Sequence, residues 1–360
     1  MNITITNLLK SGRSLYKLTQ ASFSSSSKLN QKKMPESDTE SLPHLLNVSH
    51  IEINNRADDI RAGLIDTFLN LEKVDKNLYL ARHLLKGRNS VPVVYGGQVI
   101  GQALSAATAT VTTGFVPNSL HSYFIKSGNV ERPILYQVDR IRDGKSFVTR
   151  LVKALQDGEA IFTVQISFHK PEPDSIVHQI PMPEVPAPDS LEDLSERFEK
   201  SEKDPNIPPA AAAMIKFKRR EIPPAFFRVF SFRPVDMDSY LLLKKEPENG
   251  THSPDAFRSY VWIKANENLG SDPRLHLAAA AYISDATMIE TALRSHSKKG
   301  FIPSMALTLD HSIWMHSADF RIDDWIFTAG SRSLIEGKLW TKDGRLVFST
   351  SQEALIRARK

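Results

Sequence analysis

The chain repeats itself, and this repeat limits the possible folds more than any single motif does. Three landmarks of the first half recur in the second half at nearly the same distance along the chain. They are Ala103-Leu104 and Ala292-Leu293, His121-Ser122 and His311-Ser312, and Asp157-Gly158 and Asp343-Gly344. We infer two copies of one α+β unit, in which an antiparallel sheet curls around a buried helix. Because the edges of a sheet need cover, the copies are expected to pair side by side as a pseudo-dimer.

The first copy has clear local signals for each of its elements. Residues 95–107 are small and begin with a Gly-Gly pair, which predicts a turn entering a closely packed helix. Strands are predicted at 120–124, 134–141, 146–155 and 160–169. Asp-Gly turns at 143–144 and 157–158 separate the last three, a strong signal for hairpins. The second copy repeats this order with a helix at 278–293 and strands at 325–329, 334–340 and 346–356.

Composition divides the chain into four segments. Residues 1–60 are a targeting-like and irregular lead-in, 61–172 the N-terminal unit, 173–220 a connector, and 221–360 the C-terminal unit. The connector is rich in proline, which keeps the chain extended, and then strongly charged with helical spacing. A basic cluster at 216–220 in the connector either meets phosphates or forms a solvated helix face, and the pattern favours the solvated face.

The N-terminal segment has the composition of an organelle transit peptide. Residues 1–35 are rich in serine and contain six basic residues but no acidic residue. This composition predicts a mitochondrial matrix protein, although a tail of accidental composition is the alternative. Met34 is a possible second start that would remove the segment. The last residues are Ala358-Arg359-Lys360 rather than the peroxisomal Ser-Lys-Leu signal.

Charge and composition exclude several classes of protein. The formal net charge of +5 comes from the first 35 residues, and the remaining chain is nearly neutral, which argues against a nucleic-acid partner. The absence of Cys excludes thiol nucleophiles, disulfides and thiolate metal sites. No apolar run is long enough to span a bilayer, so we expect a soluble protein without a transmembrane segment.

The second copy carries polar side chains where the first is apolar or small. Asp285 lies in the predicted helix at the position aligned with Gly96, and Gln352 is aligned with Ile166. By strand alternation Gln352 points into an apolar face, so its amide needs partners. With Thr308, these residues provide a carboxylate, an amide and a hydroxyl that one site could combine. The alternative is that Gln352 caps a backbone group.

Two histidines lie beside these groups. If residues 308–316 form one strand, alternation places His311 on the face opposite Thr308. We therefore interpret His311 and His121 as structural residues rather than as general bases. No set of His and Asp residues has the spacing of metal ligands, and we expect neither a metal nor another cofactor.

The ordered set of motifs resembles the acyl-CoA thioesterase II family, which has bacterial and peroxisomal members. The matching segments are YGGQVIGQAL at 95–104, LHSYF at 120–124, RDGKSF at 142–147, AYISD at 281–285, LDHSIWMH at 309–316 and SQE at 351–353. The resemblance implies a tandem (double) hot-dog fold and hydrolysis of fatty acyl-CoA to fatty acid and CoA. It also implies Asp285, Thr308 and Gln352 as the catalytic residues. The N-terminal extension, the long connector and the missing Ser-Lys-Leu signal depart from the family pattern and affect the expected location.

This resemblance leads to a specific chemical hypothesis. The chain has neither Cys nor a G-x-S-x-G elbow, so we expect water rather than a side chain to attack the thioester. Asp285 would accept the proton of this water, while Thr308 and Gln352 hold it in place. Backbone N–H groups at Gly96 and Gly97 would bind the oxyanion, and we add Gln98 and His121 as further acyl-CoA contacts. If Gly96 and Gly97 only permit close packing, these contacts are absent.

The same fold allows two functions other than hydrolysis, and it also predicts a homo-oligomer. A hot-dog protein could bind acyl-CoA without cleaving it, or could hydrate enoyl-CoA. The hydratase chemistry requires an Asp/His pair at one helix start, and no His is near Asp285 in the sequence. Exposed sheet edges and helices favour a homo-oligomer.

Overall fold

The computed structural model describes residues 69–173, 175–241, 243, 258–266, 268–297, 301, 303–330 and 335–358. The predicted targeting-like segment 1–60 lies outside the described residues. All described residues belong to one compact unit.

Most of the strands join into one antiparallel sheet. The strands are, in chain order, β1 Glu72–Asp75, β2 Leu78–Ala81, β3 Val116–Phe124, β4 Ile134–Asp143, β5 Phe147–Gln156, β6 Glu159–His169, β7 Phe230–Pro234, β8 Ser259–Ala265, β9 Pro303–Thr308, β10 Asp310–Met315, β11 Ile326–Gly330, β12 Ile335–Thr341, β13 Leu346–Gln352 and β14 Ala354–Ala358. Twelve of them form a sheet in the order β1-β2-β4-β5-β6-β3-β10-β13-β12-β11-β8-β7, and β9 pairs with β14 separately.

The order of the large sheet confirms the predicted pseudo-dimer. From the central pair β3–β10 outward, each strand of the first half has a counterpart in the second half. In this pair His121 lies opposite Ser312, and Ser122 lies opposite His311. The repeated His-Ser dipeptides therefore meet at the junction of the two halves.

The hairpins predicted from the sequence join neighbouring strands in both halves of the sheet. The turn between β5 and β6 places Asp157 at φ 52° and Gly158 at φ 80°, and Gly344 in the second half has φ 86°. Positive φ is readily adopted by Gly and tolerated by Asp, which is why Asp-Gly turns are common in hairpins. The apolar face of β6 is buried, as the alternation predicts.

Helices lie between the strands in chain order, and two of them fall largely in the predicted connector. They are α1 Gly96–Thr108, α2 Leu194–Lys203, α3 Pro209–Glu221, α4 Pro224–Val229, α5 Met237–Tyr240, α6 Pro273–Ser284 and α7 Met288–Ser297. No helix among the described residues is long and apolar enough to cross a bilayer.

Helices α1 and α6 pack tightly and antiparallel at the centre of the molecule. A Cβ on Gly97 would lie 2.0 Å from the carbonyl oxygen of Tyr282, and one on Gly101 would lie 3.1 Å from that of Ala278. Glycines therefore allow the two backbones to touch. The start of α1 lies against the end of α6.

The packing of α1 against α6 shows that one landmark of the repeat, the match to Ala292-Leu293, was wrong. The sequence alignment paired α1 with the segment around Ala292-Leu293, and it predicted one helix over 278–293. The structure instead divides this region into α6 and α7, with a turn at 285–287. The buried counterpart of α1 is α6, and α7 is an addition. Asp285 and Gly96 are consequently not equivalent positions, although they are neighbours in space.

Two strands of the second half also bend where continuous strands were predicted. The stretch 308–316 is interrupted at Leu309, and the strand predicted at 346–356 is interrupted at Glu353. The two interruptions face each other, because the Leu309 N–H donates to the Glu353 carbonyl oxygen at 2.9 Å. Before the bend β9 pairs with β14, and after it β10 pairs with β13.

The connector packs on the C-terminal half. Trp262 donates its indole N–H to the Pro186 carbonyl oxygen at 3.0 Å, and Trp340 donates to that of Ile180 at 3.2 Å. Proline-rich chain is suited to this, because it is extended and offers carbonyl oxygens without donating in turn. In the basic cluster at 216–220, the side chains of residues 218, 219 and 220 each lie within ion-pair distance of a glutamate.

Candidate active site

Asp285 is positioned by the end of α6. It is the C-cap residue, with helical φ and ψ, and the chain turns directly after it. A carboxylate at a helix C-terminus faces the negative end of the helix dipole, which is unfavourable. Here the N-terminus of α1 lies beside the same carboxylate, and its partial positive charge compensates.

Gln352 joins Asp285 to Thr308. Its amide nitrogen donates to Oδ1 of Asp285 at 2.7 Å and also donates to the hydroxyl oxygen of Thr308. Gln352 is fully buried, whereas Asp285 and Thr308 are partly exposed. The three residues proposed from the sequence are therefore brought into direct contact, and they come from three separate elements.

The bent strands explain this contact. Thr308 is the last residue of β9 and Gln352 is the last residue of β13, so each precedes the interruption in its strand. On β13, Phe348, Thr350 and Gln352 are buried on the same face. This agrees with the alternation that predicted an inward-pointing amide.

The hydrogen bonds within this cluster determine which donors and acceptors remain available to a bound molecule. Both amide protons of Gln352 are directed to oxygen atoms, so its Oε1 is left as a buried acceptor without a partner among the described residues. The Thr308 oxygen accepts from Gln352, and its own proton remains available to donate. The second oxygen of Asp285 is directed toward α1. The cluster thus offers one hydroxyl donor and several acceptors to a small polar molecule.

The first residue of α1 lies directly against this carboxylate. A Cβ on Gly96 would lie 2.8 Å from Oδ2 of Asp285 and 3.0 Å from the ring of Phe124. The first N–H groups of a helix have no acceptor within that helix. Gln98 and Val99 donate their backbone N–H groups to the Tyr95 carbonyl oxygen. Those of Gly96 and Gly97 find no acceptor in the described part of the chain.

Tyr95 fastens the two helices together beside Asp285. Its hydroxyl donates to the carbonyl oxygen of Tyr282 at 2.8 Å, and the two rings meet edge to face. Burial raises the pKa of Tyr95, and the nearby Asp285 carboxylate raises it further. The phenol is therefore neutral and serves as a donor. Tyr95 is the first residue of the YGGQVIGQAL motif, and the motif by itself did not indicate a role for its phenol.

His311 lies closer to the site than strand alternation suggested. Alternation places His311 opposite Thr308 only if residues 308–316 form one continuous strand, and the strand is interrupted at Leu309. His311 is fully buried, and its Nε2 lies 3.0 Å from the hydroxyl oxygen of Ser284, the residue before Asp285. Burial lowers its pKa, and the carboxylates of Asp285 and Asp310 partly offset this. The imidazole is therefore neutral at pH 7.

Two residues suggested as acyl-CoA contacts are not brought to this cluster. Gln98 is buried, and its amide accepts from the Leu85 N–H at 2.6 Å and donates to the His83 carbonyl oxygen at 2.9 Å. His121 is exposed on the outer face of β3 and lies 3.1 Å from the Ser312 hydroxyl oxygen. Residues that pair directly across strands share a face. His121 therefore lies on the opposite side of the sheet from His311.

In the described residues no group of His, Asp and Glu side chains has an arrangement suited to a metal ion. The arrangement that is present, a carboxylate, an amide and a hydroxyl beside a helix N-terminus, suits activation of a water molecule and binding of a developing anion.

Comparison with known proteins agrees with this interpretation. A family model described as acyl-CoA thioesterase matches residues 236–355, and one described as acyl-CoA thioesterase N-terminal domain matches residues 86–169. Human acyl-coenzyme A thioesterase 8 is 36% identical over 313 residues, which cover 84% of this chain and 91% of that protein. The peroxisomal acyl-coenzyme A thioester hydrolase 1 of Saccharomyces cerevisiae is 27% identical and covers 81% of this chain and 94% of that protein.

Solved structures support both the family and the fold. The crystal structure of the acyl-CoA thioesterase II TesB2 from Mycobacterium marinum shares 32% sequence identity with a TM-score of 0.62, and the match covers 82% of this chain and 99% of that one. A protein described as having a hot dog fold, from Alicyclobacillus acidocaldarius, aligns with a TM-score of 0.59 at 16% identity. The expected tandem hot-dog fold is thereby confirmed. The chain belongs to the acyl-CoA thioesterase II family.

Proposed function

We propose that the protein hydrolyses fatty acyl-CoA to a free fatty acid and CoA, using a water molecule activated by Asp285. The observation that carries this proposal is the buried Gln352 amide. Its nitrogen atom donates hydrogen bonds to both the Asp285 carboxylate and the Thr308 hydroxyl. A thioester is suited to this attack, because the departing thiol is a good leaving group with a pKa of roughly 8.5.

Asp285 acts as the general base. Water held between its carboxylate and the Thr308 oxygen transfers a proton to Asp285 as its oxygen attacks the thioester carbonyl carbon. Gln352 fixes the carboxylate and the hydroxyl relative to each other, so little reorganisation is needed at the moment of attack. The carbon–sulfur bond then breaks and CoA leaves as the thiolate. The acid is released, and the proton on Asp285 passes to the thiolate or to solvent, which restores the carboxylate.

The N-terminus of α1 stabilises the charge that develops on the carbonyl oxygen. The N–H groups of Gly96 and Gly97 carry the partial positive charge of the helix end, and Gly96 itself lies against the Asp285 carboxylate. Because α1 belongs to the first half and Asp285 to the second, the reaction requires both halves.

Asp285→Asn is the direct test of this function. Asparagine keeps an oxygen that can accept from Gln352 but cannot take a proton from water, so we expect kcat for palmitoyl-CoA to fall by about 10² to 10⁴. Release of CoA is followed with a thiol reagent, and folding is checked by circular dichroism. Asp324→Asn is a matched control, because Asp324 is exposed and only accepts the backbone N–H of Trp325.

The same assay separates hydrolysis from its rivals. Turnover of the Asp285→Asn protein within threefold of wild type, with folding unchanged, would contradict the assignment of the base. Saturable binding of palmitoyl-CoA by wild type without release of CoA would instead indicate a binding protein. Hydration of an enoyl-CoA would be detected as loss of absorbance of the conjugated thioester.

The predicted location and assembly belong to the same proposal. The basic, Ser-rich composition of residues 1–35 supports mitochondrial targeting, whereas the yeast relative is named as a peroxisomal enzyme. Imaging the full chain and a version starting at Met34, each with a C-terminal tag, separates the two compartments. We also propose a homo-oligomer of double hot-dog subunits, and light scattering after gel filtration measures its mass.

A further inference from the structure

His311 occupies a junction between the two halves and the end of α6. It lies on β10, the strand that pairs with β3 across the centre of the sheet. Its carbonyl oxygen accepts the hydroxyl proton of Ser122, on the N-terminal half, at 2.7 Å. Its ring points inward, is fully buried and contacts Ser284 of α6.

The hydrogen bonds of Ser284 determine the protonation of this ring. The Ser284 hydroxyl donates to the carbonyl oxygen of Ala281 at 2.9 Å, as serines in helices often do. Its oxygen can then only accept from His311, 3.0 Å away, so Nε2 must carry the proton. A neutral imidazole protonated at Nε2 leaves Nδ1 as an acceptor.

This arrangement is not one that packing alone would favour. Nδ1 of His311 is buried and has no hydrogen-bond partner among the described residues. A buried polar atom without a partner is unfavourable, and an apolar side chain of similar size would avoid that penalty. What the histidine provides and an apolar residue could not is the Nε2–H donated to Ser284.

The hydrogen bond from His311 holds Ser284, the residue directly before Asp285. Ser284 is the last residue of α6 and Asp285 is its C-cap, so the position of Ser284 sets where the carboxylate begins. Helix ends fray unless their groups are held. His311 connects this end to the central β3–β10 pair.

We propose that His311 is a positioning residue, which holds the end of α6 through Ser284 so that the Asp285 carboxylate meets Gln352 and the N-terminus of α1. This inference rests on the proposed function of Asp285. It assigns His311 no proton transfer and no contact with substrate.

The test compares two replacements of the ring. In His311→Gln the amide can place an N–H near the former Nε2, whereas His311→Met has similar length but no donor. Misplacing a reacting group by about 1 Å costs about 10²-fold. We therefore expect His311→Met to lower kcat for palmitoyl-CoA at least tenfold with KM within about threefold of wild type. His311→Gln should recover most of the lost kcat.

Ser284→Ala tests the route of the effect. It removes the acceptor without changing the histidine, so it should lower kcat by a similar factor. The double variant with His311→Met should be no worse than either single variant, since both break the same hydrogen bond. His316→Met is the matched control, because His316 follows the same strand but contacts Ser349 on the surface. It should leave kcat within about twofold.

Each outcome supports or overturns the inference. If His311→Met lowers the melting temperature while kcat measured well below it stays within twofold, the residue is structural only and the inference fails. It also fails if His311→Gln is as slow as His311→Met, or if the Ser284 and His311 effects multiply. Should His311→Met not fold, Ser284→Ala and His311→Gln still decide. An active Asp285→Asn protein would overturn the proposed function, whereas an inactive one together with an active His311→Met protein overturns this inference alone.

Discussion

Gly96→Ala should reduce turnover without weakening the fold. The added methyl would lie 2.8 Å from Oδ2 of Asp285 and 3.0 Å and 3.1 Å from two ring atoms of Phe124. Ordinary contacts of a Cβ begin near 3.4 Å. The carboxylate must therefore retreat by about 0.6 Å or rotate away from α1, because the aromatic ring leaves no space on the other side.

The size of the effect follows from this displacement. If an error of about 1 Å costs about 10²-fold, then 0.6 Å costs roughly 10- to 20-fold in kcat. That corresponds to about 1.4 to 1.8 kcal/mol in the activation free energy. Loss of the hydrogen bond from Gln352 to Asp285, now 2.7 Å long, would add to the effect.

Stability should change little, because two effects oppose each other. Alanine favours a helix over glycine by roughly 0.5–1 kcal/mol, which offsets part of the steric cost. The substitution should therefore lower kcat without lowering the melting temperature, whereas a disruptive substitution in the core lowers both.

The assay is palmitoyl-CoA hydrolysis with a thiol reagent, beside thermal unfolding by circular dichroism. Gly87→Ala is the matched control, because a Cβ there would make only ordinary contacts, the nearest at 3.6 Å. A Gly96→Ala protein that is folded and retains kcat within twofold would refute the placement of Asp285 against the start of α1.

Three further predictions concern the same region. Gly97→Ala should lower the melting temperature strongly, because its Cβ would lie 2.0 Å from the Tyr282 carbonyl oxygen. Overpacking of this kind costs about 1–3 kcal/mol or more. An unchanged melting temperature would contradict the close packing of α1 and α6. Gln352→Ala should lower kcat by about 10² while KM changes less than threefold, and a variant affected mainly in KM would point to a role in substrate binding. Burial lowers the pKa of His311, so below about pH 6.5 the unfolded chain binds a proton that the folded chain does not. The free energy of unfolding should therefore fall as pH drops from 7 to 5, and it should fall less in His311→Gln; equal losses in chemical denaturation would count against this.

Local patterns were sufficient to predict most strands of each half, although they did not reveal β1, β2 or β7. The Asp-Gly turns predicted the hairpins, because a tight turn requires residues that tolerate positive φ, and Asp157 and Gly158 adopt it. Alternation along β6 and β13 predicted which side chains point inward, including Gln352. The duplicated landmarks predicted two copies of one unit, and the need to cover sheet edges predicted that the copies would pair. The repeated His-Ser dipeptides lie at the junction of the two copies.

Local patterns were insufficient where the chain leaves regular structure. A helix over 278–293 was expected, yet the chain turns at Asp285. Nothing in that segment is a strong helix breaker, and the end of the helix coincides with the start of α1 packed against it. In the same way, Leu309 and Glu353 interrupt their strands as a pair, which neither segment reveals by itself.

Sequence alone thus predicted two similar α+β units and the three chemically different candidate residues Asp285, Thr308 and Gln352. Their contact, the nearness of Gly96 to the carboxylate and the link from His311 to Ser284 became visible only in three dimensions. The physical reason is that turns and alternation depend on neighbours along the chain. Helix packing and paired strand bends depend on residues that folding brings together from distant parts of it.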